Sequence, residues 1–186
     1  MISAACVRAA NPPVPGVNLT VMTNFYSVFG SSIQDFKRHI AAFGPTDPDG
    51  TRRDARTDSR MTWDYEYVAA NGGFYISTSV VSLDVKYTIP RLAAASAVPT
   101  VVAAEWSRYI SALMVHEAGH SNVAAQAAQK LSRTLRQSKV FLAQKELADF
   151  VQVEGQKCLA ESKSEDSAYD QRTRHGLTQG AVLHSR

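Results

Sequence analysis

His116 and His120 stand four residues apart with Glu117 beside the first, in the run His116-Glu117-Ala118-Gly119-His120. On a helix, positions four apart lie about 40° apart around the axis, so both imidazoles project side by side at a separation one metal ion can bridge. Glu117 falls next to that ion. Zn²⁺ held by neutral imidazoles lowers the pKa of a bound water towards neutrality, and an adjacent carboxylate can take the water's proton as it attacks a carbonyl. Trp106, Ile110, Leu113, His116 and His120 recur at spacings of three and four, which puts the histidines on the apolar stripe of the helix. Two imidazoles buried there without partners would each cost about 1–3 kcal/mol, so a metal is the reading that fits all three residues.

A tetrahedral catalytic zinc takes three protein ligands and a water, which leaves one ligand to find. The stretch Tyr169-Asp170-Gln171-Arg172-Thr173-Arg174-His175-Gly176 is dense in functional groups, and His175 is the first candidate. Asp170 and Glu154 are its rivals; His184 and His39 have no supporting pattern around them. Glu117 would be the general base towards water and then the proton donor to the leaving amine. Tyr169 is the choice for a donor to the oxyanion. Asp170, if not a ligand, would hold a ligand histidine's second N–H.

The elements that must position these groups read as α+β. Residues 1–16, with Asn11-Pro12-Pro13-Val14-Pro15-Gly16, form an extended leader, and 17–186 is long enough for a single domain. Val17 to Phe29 favours a strand ending at Gly30. Ser32, three before Asp35, starts a short helix with Phe36, Ile40 and Phe43 facing the core and Gly44-Pro45 ending it. Thr46 to Asp58 reads as a loop, and Arg52, Arg53, Arg56 and Arg60, interleaved with Asp49, Asp54 and Asp58, read as solvated. Met61, Trp63, Tyr65 and Tyr67 alternate with mostly polar residues, Asn71-Gly72-Gly73 is a hairpin turn, and Phe74 to Ile89 returns to Pro90. These segments predict an N-terminal antiparallel sheet. From Pro99-Thr100 the period becomes helical to about Arg136, and Ser138 caps a second long helix that ends in the polar run Glu161 to Asp166. Lack of a side chain at Gly119 leaves room for another segment near the metal.

The net charge is +3 and the cations are scattered, which argues against nucleic-acid binding. No apolar run approaches the roughly 20 residues of a membrane span. The N-terminus lacks a basic start followed by an apolar core, so an exported protein would carry its signal outside this stretch. Cys6 and Cys158 are free to pair or to remain thiols.

Taken together, Tyr26, Gly30, Gly44-Pro45, Gly50, Trp63-Asp64-Tyr65, Ile89-Pro90, Trp106, the His116–His120 motif and Tyr169-Asp170-x-x-Thr173-x-His175-Gly176 resemble a bacterial family, the domain of unknown function 922. The resemblance covers about residues 17 to 183. It implies an exported, zincin-like, zinc-dependent protease and makes the C-terminal pattern part of the site. Its usual cysteine in the strand after the hairpin is replaced here by Phe74, so the disulfide it implies lacks one partner and Cys158 is left free or joined to Cys6. The leading expectation is a periplasmic or secreted zinc metallopeptidase with His116, His120 and His175 as ligands and a peptide or protein substrate. The alternatives are a metal-stabilised binding module without catalysis and a zinc amidase acting on a cell-wall amide. An extended substrate would add as a strand to the edge of the Phe74–Ile89 segment.

Overall fold

The computed structural model describes residues 16–70, 72–93 and 97–185. Apart from Gly16, the expected leader lies outside them, as does Cys6. The elements are β1 (Val17–Val28), α1 (Ile33–Phe43), β2 (Arg56–Ala70), β3 (Gly73–Leu92), α2 (Thr100–Arg136) and α3 (Gln144–Thr173), with a 3-10 turn over Leu177–Gln179. The class is α+β: a three-stranded sheet with a short helix, then two long helices.

Local chemistry explains most boundaries. The Ser32 side chain accepts from the Asp35 N–H while the Asp35 carboxylate accepts from the Ser32 N–H, a reciprocal cap that starts α1. The helix ends at Gly44 (φ −58°, ψ 160°), because Pro45 disfavours the helical conformation at the residue before it, and a Cβ at Gly44 would stand 2.2 Å from the Arg53 carbonyl oxygen. Phe36 and Ile40 enter the core as expected, but Phe43 is exposed and packs against the His39 ring. Alternating Val81, Leu83, Val85 and Ile89 of β3 form the centre of the core, over which α2 lays its buried stripe from Trp106 to Leu135.

The sheet departs from expectation in two ways. Its order is β1-β3-β2, and β1 runs parallel to β3, so only the β2–β3 hairpin is antiparallel. Side-chain alternation reports which face is buried and carries no information on the direction of a neighbour. β3 is therefore the central strand, and the strand proposed to offer an edge to substrate has none; the edges belong to β1 and β2. β3 also continues past Pro90 to Leu92. Its pairing with β2 stops at Thr88, so at Pro90 only β1 remains as a neighbour and the missing N–H is tolerated.

α3 begins after Ala143, not at Ser138, and runs through the polar segment to Thr173. Its packed face continues at helical spacing from the buried Val151, Gly155 and Cys158 to Asp166, Tyr169 and Thr173, a stripe that changes from apolar to polar while remaining a contact face. A Cβ at Gly155 would lie 2.1 Å from the Trp63 ring, so this glycine lets α3 sit against the sheet. Cys158 is buried and forms no disulfide among the described residues.

Candidate metal centre

Helix α2 presents His116 and His120 from consecutive turns, and the last turn of α3 presents Asp170 opposite them. His116 Nε2 and His120 Nε2 are 3.3 Å apart, and Asp170 Oδ1 lies 3.3 Å from the first and 3.2 Å from the second. These three side chains could hold a metal ion. The carboxylate oxygen supports this independently: Oδ1 is buried and has no hydrogen-bond partner, a costly state for an anionic oxygen unless a cation faces it.

Each imidazole is oriented from behind. Gln179 Oε1 lies 3.0 Å from His116 Nδ1, and Asp166 Oδ1 lies 2.6 Å from His120 Nδ1. An acceptor at each Nδ1 assigns the ring hydrogen there and turns the Nε2 lone pair towards the cluster. His120 is pushed up to about 10: burial works against its charge, but the Asp166 hydrogen bond and the Asp170 carboxylate facing its Nε2 outweigh it. Asp170 is raised by burial but held well below the usual carboxylate range by the facing imidazoles.

His175, the expected third ligand, stands one layer out. It is about half exposed, and its Nδ1 lies 3.2 Å from Asp170 Oδ2, so it holds the carboxylate that Asp170 turns towards the two histidines. Thus the expected three-histidine set is replaced, in the cluster the structure assembles, by two histidines and Asp170. The reason is the length of α3. Because the helix continues to Thr173, Asp170 faces α2, while Arg174 and His175 (φ 52° each) and Gly176 (φ 81°) turn the chain back over that last turn. The same turn seats Gly176 against His116: a Cβ there would meet the ring at 3.0 Å. Glu154 lies sixteen residues before Asp170, about 24 Å along the helix. His184 contacts Glu105, and His39 lies between Phe29 and Phe43, away from the centre.

Tyr169, expected as a donor to the oxyanion, packs behind His116. Its hydroxyl donates to the His116 carbonyl at 3.1 Å and accepts from Gln179 Nε2 at 3.0 Å, and its ring stacks on His116 at 5.3 Å. A Cβ at Gly119 would lie 2.0 Å from that hydroxyl, so the glycine in the motif admits Tyr169 behind the histidines. The ring lines a groove between α2 and α3, and Tyr169 is not among the residues that line the cleft holding the cluster.

Glu117 is 3% exposed, and its Oε2 accepts from the Thr57 hydroxyl at 2.5 Å. Burial raises its pKa, and the Thr57 hydrogen bond and nearby imidazoles only partly offset this. Together with the three-residue cluster it opens into a cleft of about 390 Å³. One wall is α2 with the end of α3. The other is the arginine-rich loop before β2 with the first residues of that strand, from which Arg52, Arg53 and Arg56 line the cleft.

Residues 23–176 match the family described as Bacterial protein of unknown function (DUF922). The chain belongs to this family. The DUF922 match starts within β1 and ends at Gly176, so it contains the three clustered side chains, Glu117, Tyr169 and His175. No match was found among curated proteins or among solved structures. Asp166, Gln179 and Thr57 escaped the sequence reading. Asp166 had a signal, since it lies one helical turn before Asp170; Gln179 and Thr57 are brought in by tertiary packing alone.

Proposed function

We propose that this DUF922 protein is a zinc-dependent metallopeptidase whose ligands are His116, His120 and Asp170. The observation that carries the reading is the spacing of the three donor atoms, 3.2 to 3.3 Å on every edge. Ligands about 2.0 Å from a tetrahedral zinc stand about 3.3 Å from one another. Two imidazoles and a carboxylate form a donor set suited to that ion. Among the described residues the group has three members and faces a cleft, which favours a catalytic centre over a closed structural one.

A zinc ion in this position would lower the pKa of a bound water and polarise a peptide carbonyl. Glu117 would be the base that takes a proton from such a water and the donor that returns it to the leaving amine. Burial raises its pKa, which makes the carboxylate a stronger base towards that water. Thr57 fixes the carboxylate's direction, while Gln179 and Asp166 keep the imidazoles facing the cleft. His175 holds Asp170 through its outer oxygen. An extended peptide would lie along β2, the edge strand whose Arg56 and Thr57 line the cleft. Following the family resemblance, we place this activity in the periplasm or outside the cell.

The test is incubation of the zinc-loaded full chain with a diverse peptide mixture and mass-spectrometric reading of new termini. Cleavage by the wild type, lost on chelation, restored by zinc and absent in Glu117→Gln, is expected. No cleavage of any peptide by the zinc-loaded protein would overturn the reading.

A further inference from the structure

The loop wall of the cleft is built, not draped. A bridge pairs Thr46 with Arg52; the Asp47 N–H donates to the Thr51 carbonyl at 2.8 Å and the Arg53 N–H to the Pro45 carbonyl at 2.9 Å. Asp54 ties the loop to the body of the protein twice. Its carbonyl accepts from the Tyr26 hydroxyl of β1 at 2.6 Å, and its carboxylate from the Tyr109 hydroxyl of α2 at 2.7 Å. The arginines are thereby held at fixed places on the cleft wall.

Their charges are not equally committed. Arg53 Nε donates to Asp47 at 2.7 Å, and Arg56 Nε to Asp58 at 2.7 Å. Arg52 donates only to the Gly44 carbonyl, at 2.7 Å, and has no carboxylate partner among the described residues. The carboxylates that share the cleft are occupied elsewhere: Asp47 by Arg53, Asp170 and Asp166 by imidazoles, Glu117 by Thr57, Asp54 by Tyr109. Ala55, Leu113 and Ala181 are the apolar residues of the lining, too small a surface to select a large apolar side chain. What remains for recognition is a planar guanidinium with free donors in the lining of the same cleft, a shape that matches a carboxylate.

We propose that Arg52 anchors an anion subsite that binds a carboxylate of the peptide substrate, either an Asp or Glu side chain or the free C-terminus. This deepens the peptidase reading and rests on it for the word substrate. Arg52 is solvent-exposed, so its effect is on the order of tenfold in affinity and weakens as salt rises.

The test is binding, so that it stands apart from turnover. Zinc-loaded Glu117→Gln is titrated against fluorescein-labelled alanine-serine octapeptides carrying one central Asp or its Asn counterpart, each with a free or an amidated C-terminus. Fluorescence anisotropy is expected to give about tenfold tighter binding for one carboxylate arm. A gain from Asp over Asn assigns the side chain; a gain from the free over the amidated end assigns the terminus. Arg52→Gln should erase that gain, whereas Lys145→Gln, which removes an exposed cation of α3 outside the cleft, should leave it. Equal affinity for all four peptides, or a preference that survives Arg52→Gln, would overturn the subsite, as would no binding of any of them at millimolar concentration. Arg52-dependent binding without cleavage of any peptide by the wild type would keep the subsite and sink the peptidase reading.

Discussion

Replacing Gly119 by Ala should destabilise this protein, although the same change in an ordinary helix interior stabilises by about 1 kcal/mol. The new Cβ would sit 2.0 Å from the Tyr169 hydroxyl and 2.1 Å from the ring carbon that carries it, so the ring must move. Forcing an extra methyl into such a contact costs about 1–3 kcal/mol, and displacing the hydroxyl from the His116 carbonyl and Gln179 adds about 0.5–1.5 kcal/mol. After the helix-propensity gain is subtracted, the net loss is about 0.5–3.5 kcal/mol. In a domain of this size that is a fall of at least a degree or two in Tm, and up to about 10 °C. Calorimetry on metal-free protein reads it directly. The double variant Gly119→Ala with Tyr169→Ala should be more stable than Tyr169→Ala alone, because the methyl then has room and the propensity gain returns. If Gly119→Ala raises Tm, Tyr169 does not pack behind the motif and the support assigned to His116 is wrong.

Four further outcomes follow from the centre. Asp170→Ala should weaken zinc binding by well over 100-fold in competition with a chromophoric chelator, while His175→Ala and Asp166→Ala should cost about 10–100-fold, the usual effect of losing a partner behind a ligand; the reverse order would return His175 to the ligand set. Glu117→Gln should keep its zinc and lose about 10²–10⁴-fold in kcat/KM. In metal-free protein His120 is raised from 6.5 to about 10, so its stabilising contribution is complete below about pH 6.5 and is lost as pH rises through about 10. A zinc ion must displace that proton, so calorimetric titrations at pH 7 to 9 in buffers of different ionisation enthalpy should show about one proton released per metal, and zero release would contradict the Asp166–His120 pairing. Because burial raises Glu117, the acid limb of kcat/KM should fall at a pH above the ordinary carboxylate value of 4.5.

The motif helix was legible because its chemistry repeats at the period of the helix that displays it: His116, Glu117 and His120 share the stripe that begins at Trp106. The capping box of α1 was equally local, since Ser32 and Asp35 satisfy each other's backbone within three residues. The parallel pairing of β1 was not legible, since Val17–Val28 alternates in the same way whichever direction its neighbour runs. Ending the second long helix near Asp166 came from counting apolar residues alone. Its last turn is held by Asp166, Tyr169, Asp170 and Thr173, polar groups whose partners are the histidines of α2. That single boundary decided whether Asp170 or His175 reached the cluster. The fixing of the arginine loop was not legible for a related reason: its anchors, Tyr26 and Tyr109, lie 28 and 55 residues away.

The account stands most directly on which atoms surround the metal. Crystals of the zinc-loaded full chain, measured on either side of the zinc absorption edge, would locate the ion by its anomalous difference peak. The account predicts one peak in contact with His116 Nε2, His120 Nε2 and Asp170 Oδ1, with its remaining side open to the cleft beside Glu117. A peak bound by His175 in place of Asp170, one closed by a fourth protein ligand, or no peak between the helices would contradict it.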